Sequence, residues 1–352
     1  NPITGVTLVD LLVVCHGDDI GPIEFTSTTE GGITTYEWVA SGDNIGLAQT
    51  DDGNGIINLF TAQNTTSEPL ISSITVTPTL TNGGVSSVGD SLTFTITVNP
   101  TAQVDQPDNY EYCDGDTSSI DFTTSNGGDD SVTTYSWVVT GDDIGLPSTG
   151  NDNISQLVTN ATTDILTATI EVTPTYTNAG ESCTGPSKEF TITVNPTAQV
   201  NEVDPIVVCN GDDIADIVFS TANQNGTTIY SWTNDNTNIG LGASGTGDIT
   251  SFAATAGTSP EVATITVTPS YDAADPLACT GEEITFTITV NPTAQVDQPD
   301  NYEYCDGDTS SIDFTTSNGG DDSVTTYSWV VTGDDIGLPS TGNDNISQLV
   351  TN

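Results

Sequence analysis

The chain has 352 residues and a formal charge of -48, from 49 acidic residues against a single Lys, with one His. Neutralising phosphates takes Lys and Arg, so nucleic-acid binding is excluded, and attachment to an anionic membrane surface with it. No run of 18 apolar residues is present to span a membrane as a helix. No basic-apolar signal segment opens the chain, so a secreted protein would carry its signal elsewhere.

In chain order the first feature is repetition. The phrase F-T-I-T-V-N-P-T-A-Q-V stands at 94–104, 190–200 and 286–296, at one fixed step. That period is too long for a solenoid and suits a small domain. Asn-Pro pairs at Asn1, Asn99, Asn195 and Asn291 mark units 1–98, 99–194, 195–290 and 291–352, and residues 291–352 repeat 99–160 letter for letter. The last unit stops partway, which predicts a longer natural chain.

Within unit 99–194, five runs read as strands: 118–124, 133–140, 154–159, 166–177 and 188–196, rich in Val, Ile, Thr, Tyr and Phe with partial two-residue alternation. Turn clusters separate them, and no stretch has sustained helical periodicity. About seven short strands in such a unit predict an all-β antiparallel sandwich of immunoglobulin-like type. Each unit places Tyr and Trp two apart, with Trp38, Trp137, Trp232 and Trp329 on one strand face with their Tyr. These are expected core aromatics. The competing reading is an exposed sugar-stacking platform. The repeated phrase reads as the last strand of one unit, a stiff Asn-Pro connector, and the first strand of the next. Units so joined are expected to run end to end as a rod.

The Y-x-W strand, the I-G-L turns at Ile45, Ile144, Ile239 and Ile336, the V-T-P strand end, C-T-G and F-T-I-T-V-N-P-T form a specific set. Together they resemble the PKD-like repeats of giant surface proteins of Bacteroidota, across all four units. The resemblance implies an immunoglobulin-like fold, export through the outer membrane, often by the type IX route, and a place in long adhesins, gliding-motility adhesins among them. It implies no catalysis. Unit one departs from the pattern, with Ser87 where C-T-G has its Cys.

The step from Cys113 to Cys183 equals the step from Cys209 to Cys279. The shared spacing predicts one intradomain bridge per unit and an oxidising compartment. Cys305 matches Cys113 with no partner before Asn352. Cys15 has none in its own unit, leaving a free thiol or a partner elsewhere. No Cys-x2-Cys pair supports zinc. Catalytic parts are lacking: His16 is the only imidazole and is Asp114, Asn210 or Asp306 in the other units. The G-x-G-x-x-G match at Gly240, Gly242 and Gly245 has no βαβ setting.

Acidic clusters recur at one place per unit, after each first cysteine and before I-G-L. They read as Asx-turns and solvated loops, or as calcium ligands, the candidates being Asp114, Asp116, Asp142, Asp143, Asp212 and Asp213. The function expected is a non-enzymatic stalk of a secreted bacterial surface adhesin, holding an adhesive region off the cell and bearing force. Its partners are neighbouring repeats, with surface glycans or proteins bound through other regions. The alternatives are glycan-binding accessory repeats of a secreted polysaccharide-degrading protein, and a surface-layer or filament subunit.

Overall fold

A computed structural model describes residues 5–6, 11–50, 55–128, 132–271, 277–319 and 325–352. It contains two compact units, residues 1–160 with 166–194, and residues 161–165 with 195–352. Among the described residues the regular structure is strand, apart from one 3-10 turn at Thr237–Ile239.

The first three repeats share one plan. A long central strand, Leu70–Asn82, Leu166–Asn178 or Glu261–Tyr271, alternates buried and half-buried residues along most of its length. One side of it pairs antiparallel with the Trp-bearing strand, Ile33–Gly42, Val132–Gly141 or Thr228–Asn234. Its other side pairs with the last strand, Leu92–Asn99, Lys188–Asn195 or Ile284–Asn291. The alternation of Ile, Val and Ala with Thr sends one face of each strand into the core, where Ile74, Ile170 and Ile265 are fully buried. A short second layer closes the sandwich. In the first repeat it is Asp19–Ile20 with Phe60–Thr61, and in the third Asp213–Ile214 with Phe252–Ala253.

The strand expected at 118–124 and that at 154–159 are no more than isolated bridges, Ile120 to Ile154 and Thr117 to Leu157. T-A-Q-V is not the start of a strand either. The first strand of the second repeat is Tyr110–Cys113. Over 101–105, Gln103 N donates to Asn126 Oδ1 at 2.6 Å and Asp105 N to Thr123 O at 2.9 Å, so side-chain and loop acceptors replace a ladder.

First and last strands lie side by side. Leu12–Cys15 runs parallel to Leu92–Asn99, and Ile206–Cys209 to Ile284–Asn291. The chain therefore leaves each of these repeats at the pole where its first strand also ends. That end is called the trailing pole below, and the opposite one the leading pole.

Trp38, Trp137 and Trp232 lie in the three cores. Their indoles press on Gly150 and Gly245 in repeats two and three, where any Cβ would run into the ring. Trp329 sits on the same kind of glycine, Gly342, but is half-buried. The Nε1–H of Trp38 donates to Ile56 O at 3.0 Å and that of Trp137 to Asp152 O at 3.1 Å, whereas the buried Trp232 Nε1–H has no acceptor. Trp137→Phe is accordingly expected to cost about 1–3 kcal/mol more than Trp232→Phe in denaturant unfolding, because only the former strands a carbonyl. Equal costs would refute that reading.

Candidate functional site

The residues singled out by repetition converge on the poles of the repeats. At the trailing pole of the first repeat, Cys15 lies opposite Asn99 in the parallel pair. The turn after it is held by Asp18, whose Oδ2 accepts from Cys15 N at 2.8 Å. Asp116, Asp212 and Asp308 do the same for Cys113, Cys209 and Cys305, each at 2.8 Å. The residue following each cysteine performs a second shared task. His16 Nδ1 accepts from Asn64 N at 2.9 Å, Asp114 Oδ1 from Asn160 N at 2.7 Å, Asn210 Oδ1 from Ala256 N at 2.9 Å and Asp306 Oδ1 from Asn352 N at 3.0 Å.

Four positions filled by His, Asp, Asn and Asp thus supply one acceptor for one backbone N–H. His16 is part of a turn. His16→Asn should leave stability within about 0.5 kcal/mol, and His16→Ala should cost about 1–3 kcal/mol by orphaning the Asn64 N–H. Thermal melts of the two variants check this, and equal losses would contradict it.

The I-G-L clusters are built alike. Asp142 Oδ2 accepts from Thr167 N at 2.8 Å, tying the turn to the start of the central strand, and Asp143 Oδ1 accepts from Gly145 N at 3.1 Å. Gly145 sits at φ 82, a conformation open to glycine, while Ile144 enters the core. Of the six calcium candidates, Asp114, Asp116, Asp142, Asp143 and Asp212 each spend a carboxylate oxygen on a backbone N–H, and Asp213 lies in the short second-layer strand. Among the described residues no three His, Cys, Asp or Glu side chains gather as a metal site would need.

The cysteine pairing differs from the spacing-based expectation. Cys15 is bonded to Cys183, with Cα atoms 5.5 Å apart and a sequence separation of 168. Cys113–Cys183 therefore does not form, and Cys15 is not unpaired. Cys209–Cys279 does not form either: Cys209 is a free thiol, while Cys113 and Cys279 are each disulfide-bonded. Cys305 is free.

Strand geometry gives the reason. Asn160 donates through Nδ2 to Val194 O at 2.8 Å and through N to Asp114, fixing the Cys113 turn at the trailing pole. Leu166 pairs with Val194 there, and ten residues along the same strand Tyr176 pairs with Cys183. Ten residues of strand measure about 33 Å, far beyond the roughly 7 Å Cα separation a disulfide permits. A cysteine at a trailing pole can reach the C-T-G cysteine only of the repeat beyond it.

Within the first unit the bridge is one of several ties across this joint. Asn178 Nδ2 donates to Asn99 Oδ1 at 2.8 Å, and Gly127 N to Ser67 O at 2.9 Å. Tyr176, fully buried, donates its hydroxyl to Gly127 O at 2.8 Å and so holds that loop from its own side. The connector is buried as well: Asn99 and Ala102 are 0% exposed, and Val98 and Val104 belong to the cores on either side. Gly185 of C-T-G packs so closely on the Ala102 carbonyl that a Cβ would overlap it, and Gly281 does the same to Ala198. The link between the repeated phrase and C-T-G lies in that contact, which no spacing rule announces.

The second unit repeats the arrangement. Gly319 N donates to Thr258 O at 2.8 Å, Asn210 Nδ2 to Thr293 Oγ1 at 3.0 Å, and Gln224 N to Thr163 O at 2.8 Å.

Fold and joints define an all-β tandem array of antiparallel β-sandwich repeats. Its disulfides mark a chain matured in an oxidising setting, as extracellular and secreted proteins are. No protein-family model matches the chain, and no curated protein matches it. Among solved structures it is similar to human CDH23 EC21-23, with 13% identity over 82% of this chain and 100% of that one and a TM-score of 0.35. It is also similar to mouse protocadherin-24 EC1-3, with 13% identity over 83% and 100% at 0.33, and to Drosophila N-cadherin EC1-4, with 13% over 96% and 90% at 0.27.

Proposed function

We propose that the repeats are the stalk of a secreted bacterial surface adhesin, and that their work is mechanical. The observation that supports this most is the Cys15–Cys183 bridge across a joint. A bridge within a repeat protects that repeat; a bridge across a joint fixes one repeat to the next and adds a second covalent connection beside the Asn-Pro linker. With chain entrance and exit at opposite poles, further repeats of this kind extend the array. The finer setting, a PKD-like stalk of a giant adhesin of Bacteroidota exported by the type IX route and used in attachment or gliding, rests on the sequence resemblance. In this reading the repeats are not enzymes, their ligand-binding region lies elsewhere, and divalent cations such as calcium act by screening the acidic surface.

The glycan-module alternative needs an exposed aromatic pair in every unit, whereas Trp38, Trp137 and Trp232 are 4%, 4% and 8% exposed and only Trp329, half-buried, departs from burial. The test is to present the purified repeats to a panel of soluble polysaccharides and follow both binding and chain cleavage. Neither is expected. Saturable binding of one glycan that Trp substitution abolishes would transfer the chain to the alternative, and cleavage would end the stalk reading.

A further inference from the structure

Cys209 and Cys305 are free and exposed. We infer that Cys209 is the open half of a second joint bridge, and that the other half is the C-T-G cysteine of the repeat following it. The turn that presents Cys209 is the turn that presents Cys15, down to the 2.8 Å bond from its N–H to the aspartate three residues on. Its strand pairs in parallel with the last strand of the repeat so that Cys209 lies opposite Asn291, as Cys15 lies opposite Asn99. Independently, Cys15 is bridged from this position and Cys113 is also disulfide-bonded.

The far side of the joint is the right one. The third and fourth repeats meet through the Gly319–Thr258 bond, as the first and second meet through Gly127–Ser67. Residues 291–352 are identical to 99–160, and in the second repeat the segment that follows, 161–194, carries Cys183.

Closing the bridge takes one proton and one electron from each thiol and forms one S–S bond. The electrons pass by thiol–disulfide exchange to a disulfide oxidant, which is reduced to two thiols.

Such a bridge has a consequence beyond stability. The shortest covalent path through the array would enter at Cys15, cross to Cys183, follow the chain only as far as Cys209 and cross again. Each two-repeat block would then offer about 90 Å of extensible chain in place of about 670 Å. Unfolding would then add only about 20 Å to a block about 70 Å long when folded. The cysteine geometry carries this whether or not the repeats are a stalk.

To test it, residues 161–194 are appended after Asn352, completing a fourth repeat with the sequence of the second. The reduced chain is refolded with oxidised and reduced glutathione. The expected non-reducing peptide map links Cys209 to the appended copy of Cys183, with Cys305 the remaining thiol. In the same extended chain, Cys305→Ser keeps that link and Cys209→Ser leaves the appended cysteine free. A link between Cys305 and the appended cysteine, an appended thiol that stays free beside an intact Cys209, or disulfide-linked dimers would overturn the inference.

Discussion

Stretched between its ends, the oxidised chain should stop at least about 590 Å short of the length it reaches after reduction. The Cys15–Cys183 bridge shortens the covalent path between the chain ends by the loop it closes, and Cys113, disulfide-bonded from inside that loop, can only shorten it further. Two bridges of the intradomain kind would hide about 250 Å each, the contour of the shorter loop from Cys113 to Cys183. Single-molecule force spectroscopy separates the outcomes. Release in two equal steps of that smaller size, or equal lengths with and without reductant, would contradict the pairing across the joint.

A large loss of stability is expected from Cys183→Ser. Closing a loop of this length removes about 5 kcal/mol of chain entropy from the unfolded ensemble in the simplest model, with strain and residual structure acting against the full value. Cys15→Ser should give the same loss and the double variant no more, because either change opens one bond. Cys305→Ser should cost nothing measurable, since that thiol is free. Cys113→Ser and Cys183→Ser should add, as changes at separate bonds do. Denaturant unfolding of the set decides it. Non-additivity of Cys113 with Cys183, alongside additivity of Cys15 with Cys183, would restore the intradomain pairs.

Much of the fold is legible in the sequence because it is periodic. The Trp-bearing strand, the central strand and the last strand each announce themselves by alternation, and Val132–Gly141, Leu166–Asn178 and Lys188–Asn195 stand where the runs at 133–140, 166–177 and 188–196 place them. The shorter runs mislead because composition marks burial as readily as it marks pairing. Ile120 and Ile154 are core residues in segments that make only isolated bridges.

The disulfides are harder still. The spacing within a unit and the longer one across a joint both recur with the repeat, so spacing alone cannot choose between them. The choice depends on which pole each cysteine occupies, and that emerges only when the first strand is seen to end beside Asn99 and the C-T-G hairpin beside Tyr176. Ser87 held a hint. With pairing across the joint, Cys15 has no need of a cysteine there.

His16, Asp114, Asn210 and Asp306 look unrelated as letters. Only the N–H each accepts shows that they share one task.

The proposed stalk requires that these repeats extend, bead after bead. Small-angle X-ray scattering of the oxidised chain tests it most directly. Four repeats of about 35 Å laid end to end, the last of them incomplete, give a length of about 130 Å and a radius of gyration of about 38 Å, whereas a compact chain of this size would have about 20 Å. The larger radius is expected, unchanged between low and moderate salt. A radius near the compact value, or one that collapses when salt screens the acidic surface, would contradict it.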